Sequence, residues 1–222
     1  MEIYRYQPRC FQDSLVNMGQ IRIGTLHDFR RSEHKMGISD PKEGTKRVSH
    51  YIENLDHTGE FISGTNQGID ADSLEKMGLT IIGDKTRTII NKSTFGRVFS
   101  EPDCFILCSS LYKSKETMAE FEGADSCLHV NSLSLFFRLI TEVLNLVTPV
   151  QFIGLRAVNY QDREEPWNGK DWGRHPALIK ETIFKPQGEV RAIWKPMTSE
   201  AISPIITNHY RLSECITPID FT

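Results

Sequence analysis

Phe184-Lys185-Pro186-Gln187-Gly188-Glu189-Val190-Arg191-Ala192-Ile193-Trp194 is the stretch on which the reading of this chain turns. Pro186 and Gly188 mark a turn, and an alternating run follows. In a strand, Val190, Ala192 and Trp194 share one face. Gln187, Glu189, Arg191 and Ile193 share the other. A carboxylate with an amide and a guanidinium two residues away is held ionised and oriented, ready to meet a substrate hydroxyl or a developing cation. The simpler reading is an edge strand with a solvated Glu–Arg pair.

The rest of the chain fits an ordinary globular frame. It has 222 residues, 39% hydrophobic and 25% charged, with a net charge of -3. That is enough for a sizeable core, and it carries no overall basic field of the kind that announces nucleic acid. Residues 1–5 lack a basic lead and an apolar run, and the apolar segment 133–147 is interrupted by Arg138, Glu142 and Asn145. The expectation is a cytoplasmic protein without a membrane span. The five cysteines are scattered and suit reduced, buried thiols better than zinc ligands or a nucleophile. His129 and His209 read as structural.

Working outward, residues 2–7 alternate as a strand with Arg5 on one face and Tyr4 and Tyr6 on the other. Pro8 opens a helix that Gly19 closes. Residues 25–50 form a polar stretch read as a functional or solvated loop. Strands are expected at 80–82, 86–90 and 95–99. Cys104–Cys108 is an apolar strand ending at Ser109-Ser110. A short helix is expected at 115–121. The clearest helix starts at Asn131 or Ser132 and buries Leu133, Phe136, Phe137, Ile140, Leu144 and Val147. Further strands are expected at 127–130, 150–155, 177–184 and 202–206. Trp167 and Trp172 belong to a loop that either packs beneath itself or stacks on a base or a partner.

Common catalytic signatures are absent from the sequence: there is no phosphate loop, dinucleotide glycine fingerprint, zinc-protease helix or serine-hydrolase elbow. What remains is Arg5 on the first strand, Ser109-Ser110 at the end of the apolar strand, and Gln187-x-Glu189 late in the chain. In this order they resemble the arginine–serine–glutamate pattern of ADP-ribosyltransferases. The chain is also similar to an uncharacterised bacterial family through Tyr4-Arg5-Tyr6, Arg30-Arg31-Ser32-Glu33, Asp40-Pro41-Lys42-Glu43-Gly44, Cys108-Ser109-Ser110 and Glu189-Val190-Arg191.

The resemblance implies one α+β domain over residues 1–222. Its sheet would be mainly antiparallel, split or strongly bent, with flanking helices. It implies NAD as substrate, no metal, and a macromolecular acceptor, either nucleic acid or protein. Glu189 would be catalytic, with Gln187 orienting the acceptor. Arg5 would hold an NAD phosphate or ribose, and Ser109 or Ser110 would line the nicotinamide pocket. Tyr4, Tyr6 or Tyr112 would stack on nicotinamide, and Arg30 or Arg31 would contact pyrophosphate or a nucleic-acid target. A bacterial toxin or phage-defence effector is the implied setting, and a toxin would need a neutralising antitoxin. The alternative is a non-enzymatic module binding a nucleotide or a partner on the same fold. A weaker third reading is a metal-dependent nuclease using Asp40, Glu43 and Glu189.

Overall fold

The computed structural model describes residues 1–30, 39–59, 68–79, 83 and 85–221. In chain order the elements are β1 (Tyr4–Gln7), α1 (Arg9–Met18), β2 (Gln20–Thr25), β3 (Thr45–Thr58), α2 (Ile69–Lys76), β4 (Arg87–Ser100), β5 (Phe105–Ser110) and α3 (Lys115–Ala119). They continue with β6 (Ser126–Val130), α4 (Leu133–Val147), β7 (Val150–Ala157), β8 (Asn159–Tyr160), β9 (Glu164–Pro166), β10 (Ile179–Lys180), β11 (Glu189–Pro196), β12 (Ile205–Asn208) and β13 (Ile216–Ile219). The architecture is α+β, with mainly antiparallel sheets and several helices.

The eight-stranded sheet is organised around β5. β11 pairs along the whole of one edge of β5, from Glu189–Ser110 to Trp194–Phe105. The other edge is shared. β2 takes its start, pairing Gly24 with Ile106 and Thr25 with Phe105. β1 touches only its end, pairing Tyr4 with Ser110, and then runs along β6 from Tyr4–His129 to Gln7–Ser126. The sheet therefore splits beside residues 107–109, and β1–β6–β13 leaves as a separate wing. The hydrophobic positions in α1 and β2, Leu15, Ile21 and Ile23, pack on one side of the split.

Both faces of β11 are buried. Val190, Ala192 and Trp194 join the larger core with Phe136, Phe137, Ile140 and Leu144 of α4. Trp194 Nε1 donates to Thr141 Oγ1 at 2.8 Å, satisfying the indole inside that core. Six side chains of α4 are buried. At about 1.5–3 kcal/mol each, they contribute on the order of 10 kcal/mol to holding the helix on the sheet. On the opposite face, Ile193 packs with Leu26, Cys104, Ile106 and Ala177. β7 closes the outer edge of β11. Its register slips between Ile193 and Trp194, which leaves Ile153 as an extra residue and Gly154 at φ +126°.

The structure revises several expectations. The Glu–Arg strand is central and buried rather than a wet edge. Gln187 does not belong to that strand: residues Thr182–Gln187 form a 3-10 turn, and Gly188 turns left-handed before the strand begins. Residues 177–184 give only the two-residue β10 between 3-10 turns. The loop expected through residue 50 ends at Thr45. There β3 begins a 14-residue strand paired with β4, so the two strands expected at 86–90 and 95–99 are one. The tail contains a further strand, β13. Val147, placed on the buried stripe of α4, is 64% exposed. The strand expected at 80–82 and residues 31–38, including Arg31 and Glu33, lie outside the described residues. No helix among the described residues is long and apolar enough to cross a membrane.

Candidate functional site

The site starts from a turn. Pro186 and the left-handed Gly188 (φ 53°, ψ 42°) aim the chain so that Glu189 opens β11. A side chain at 188 would approach the Tyr112 ring to 2.5 Å, so glycine fits this position twice over. The Glu189 backbone N–H donates to Tyr160 Oη at 2.6 Å, fixing the first residue of the strand.

The Glu189 carboxylate is 4% exposed and meets two cations. Lys180 Nζ donates to Oε2 at 2.6 Å, and Arg191 Nε donates to Oε1 at 2.5 Å. Arg191 spends three more of its donors, two on Glu43, with Nη1 and Nη2 each 2.8 Å from a carboxylate oxygen, and one on the Ala177 carbonyl at 2.6 Å. Lys180 also donates to Gln187 Oε1 at 2.8 Å. Two carboxylates and two cations thus cancel in a buried chain, the condition under which such charges are tolerated. Burial alone would raise the Glu189 carboxyl, but Arg191 and Lys180 more than reverse this and hold it well below the usual carboxylate range. Burial would likewise lower the Arg191 guanidinium, and Glu189 and Glu43 push it well above its ordinary value instead.

Glu43 is itself held by a turn. Its N–H donates to the Asp40 carbonyl at 2.9 Å, and Lys42 N–H donates to Asp40 Oδ1 at 3.0 Å. The Asp40 carboxylate pairs with Arg163. The carboxylates of the nuclease reading, Asp40, Glu43 and Glu189, are therefore each engaged by a cationic side chain. Among the described residues no three His, Cys, Asp or Glu side chains converge as metal ligands.

A cavity of about 360 Å³ lies where the sheet splits. Glu189, Lys180 and Arg191 line it, and so do Tyr4, Arg5, Ser109 and Ser110. Arg5 Nη1 donates to the Cys108 carbonyl at 2.8 Å, across the gap between β1 and β5. Its Nε is buried and has no acceptor, and no carboxylate pairs with Arg5 among the described residues. Burial pulls the guanidinium down to about 10, so it keeps its charge at neutral pH. Ser109 Oγ is likewise buried, without a partner among the described residues.

Other expected site residues fall elsewhere. The Ser110 hydroxyl is occupied, donating to the Gln187 carbonyl at 2.7 Å and accepting from Tyr112 N–H at 2.9 Å. Gln187 is fully buried and does not line the cavity; its Oε1 accepts from Lys180, which also holds Glu189. Arg30 does not line it either: its Nε donates to the Glu43 carbonyl at 2.7 Å and steadies that turn. Tyr4 lines the cavity with its ring stacked on His129, centroids 5.3 Å apart. Tyr6 also lines it, its hydroxyl bridging Tyr112 and Ser114. Trp167 and Trp172 pack against each other at a tilt, ring centroids 4.9 Å apart, and Arg97 lies over Trp172. That is the packing alternative for their loop.

Sequence reasoning missed Lys180, and it did not foresee that Glu43 anchors Arg191. Lys180 had a signal, a cation inside the apolar run Ala177–Ile179 to Phe184. Glu43 had none without its turn. Comparison with protein-family models, curated proteins and solved structures finds no match for this chain.

Proposed function

We propose that the chain is an NAD-dependent ADP-ribosyltransferase, acting from the cavity at the split of the sheet on a macromolecular acceptor, protein or nucleic acid. The observation that carries the reading is a pair of opposite charges facing one cavity: a carboxylate held ionised, Glu189, and a cation without a carboxylate partner, Arg5. An unpaired guanidinium beside a cavity calls for an anion, and a diphosphate supplies one. Glu189 supplies the complementary element. Breaking the nicotinamide–ribose bond leaves positive charge on the sugar, and a preorganised carboxylate in a dry site stabilises it. Lys180 and Arg191 each occupy one lone pair of Glu189. A carboxylate has about four, so capacity remains for a ribose hydroxyl. Gln187 holds Lys180 rather than the acceptor.

A toxin or antiviral effector is the setting this activity suits, with a neutralising antitoxin as the partner a toxin requires. The test is release of nicotinamide from NAD by wild type, Glu189→Gln and Arg5→Met, with protein, RNA and DNA offered as acceptors. The expected result is loss by a factor of about 10²–10³ in Glu189→Gln. Equal rates in wild type and Glu189→Gln, or silence in both, overturn the reading. Silence together with NAD binding supports the second reading, a binding module, which the pairing of Glu189 with two cations favours.

A further inference from the structure

Among the described residues the main sheet has three margins, and one of them is open. β7 slips register at Ile153, and β13 carries Pro218, which brings no N–H. β12 reads Ile205-Ile206-Thr207-Asn208, without charge, proline, glycine or bulge. It pairs with β2 alone among the described residues, which leaves its far edge bare. Antiparallel partners alternate between pairs that exchange both backbone bonds and pairs that exchange none. The His209 N–H donates to the Gly19 carbonyl at 3.1 Å, in register with Thr207–Ile21 and Ile205–Ile23. Ile205 and Thr207 therefore spend their backbone groups on β2, while Ile206 and Asn208 turn theirs outward. The side chains beside that edge are apolar and uncovered. Ile206 is 69% exposed and Tyr210 73%, its ring held by stacking on His209. An uncharged, β-branched strand with a bare edge is a pairing surface.

We infer that β12 pairs with β12 of a second copy of this chain, antiparallel about a twofold axis through Thr207. A twofold interface must complement itself, and this strand does so in one register. With the axis at Thr207, Ile206 lies opposite the partner's Asn208, and each gives its N–H and accepts at its carbonyl. Moving the axis to Ile206 sets Asn208 against Pro204, which has no N–H to give. Moving it to Asn208 sets Ile206 against Tyr210, which has left the strand for a 3-10 turn. In the chosen register no like charges meet, and Thr207 faces its own counterpart. Ile206 also lines the cavity at the split of the sheet, so the seam between the two copies runs beside that cavity. The pairing holds whether or not the transferase reading does.

The test is light scattering and sedimentation of the full chain, as wild type, Ile206→Lys and Asn208→Pro. A short strand pair supports an affinity at the micromolar end, so wild type should be dimeric at about 100 μM. Ile206→Lys sets a charge in the seam and alters only an exposed side chain. Asn208→Pro removes an outward N–H and spares the bonds to β2. Each should weaken the dimer by about tenfold or more. Should Asn208→Pro fail to fold, Ile206→Lys decides. Cross-linking reads the register. In a Cys10→Ser background, which removes an exposed thiol, Thr207→Cys should join two chains on mild oxidation. The Cα atoms of a pair that exchanges no backbone bonds lie about 4.5 Å apart, within reach of a disulfide. A monomeric wild type, a dimer indifferent to Ile206→Lys, or no cross-link from Thr207→Cys overturns the inference.

Discussion

Glu43 and Arg191 are 148 residues apart in sequence and form a two-pronged ion pair, both bonds 2.8 Å, with each side chain 2% exposed. The pair ties the turn after β2 to the central strand and fixes the guanidinium that orients Glu189. Removing one partner strands a buried charge, which costs about 3–5 kcal/mol. Glu43→Gln and Arg191→Leu should each lower unfolding free energy by that order in urea. Glu43→Gln combined with Arg191→Leu should cost less than the two single changes added. Additive losses would show that the two groups are not coupled.

Arg5 carries the opposite expectation. Its charge is desolvated, and no carboxylate among the described residues offsets it. Arg5→Met keeps the stem and removes the cost. The melting temperature should stay level or rise, while affinity for NAD falls at least tenfold. A clear drop in melting temperature would mark Arg5 as a structural brace instead.

Acid should act through Glu189. Its carboxyl titrates below the ordinary 4.5 when folded, because Arg191 and Lys180 outweigh burial. A depressed carboxyl adds stability above its unfolded value, and that stability drains away as pH falls towards the folded value. The stability gap between wild type and Glu189→Gln should therefore be full at pH 6–7 and shrink below about pH 4.5. Denaturant titrations at a series of pH values measure it. A gap independent of pH would contradict the ionised assignment.

Gly188→Ala tests the turn. The residue sits at φ 53°, and the new methyl meets the Tyr112 ring. Left-handed backbone costs a residue with a side chain about 1–2 kcal/mol. Tyr112 is 49% exposed and free to swing aside, so the protein should fold with a loss of that size. Glu189 would then be displaced, and nicotinamide release should fall more than stability does.

The core elements were legible where hydrophobic period and punctuation agreed. Pro8 and Gly19 bracket α1, and the stripe Phe136-Phe137-Ile140-Leu144 defines α4. The β3–β4 ribbon was not, because its strands bury so little: Val48 and Ile52 are its two fully buried apolar residues, and others such as Tyr51, Ile89 and Val98 are exposed. Its length comes from pairing, which composition does not encode. Arg5, Ser109 and Glu189 were readable as candidates from their places at strand ends. Lys180 was not, since its role depends on the turn at residues 182–188.

β7 is the outer margin of the main sheet, with Phe152 and Ile153 partly in water. A smooth margin of that kind invites a strand from another molecule to add on. The surplus residue at Ile153, with its glycine neighbour twisted to φ +126°, breaks the even spacing of donors and acceptors that an incoming strand must match. The irregularity that costs the sheet one rung of its ladder makes β7 a poorer template for an added strand.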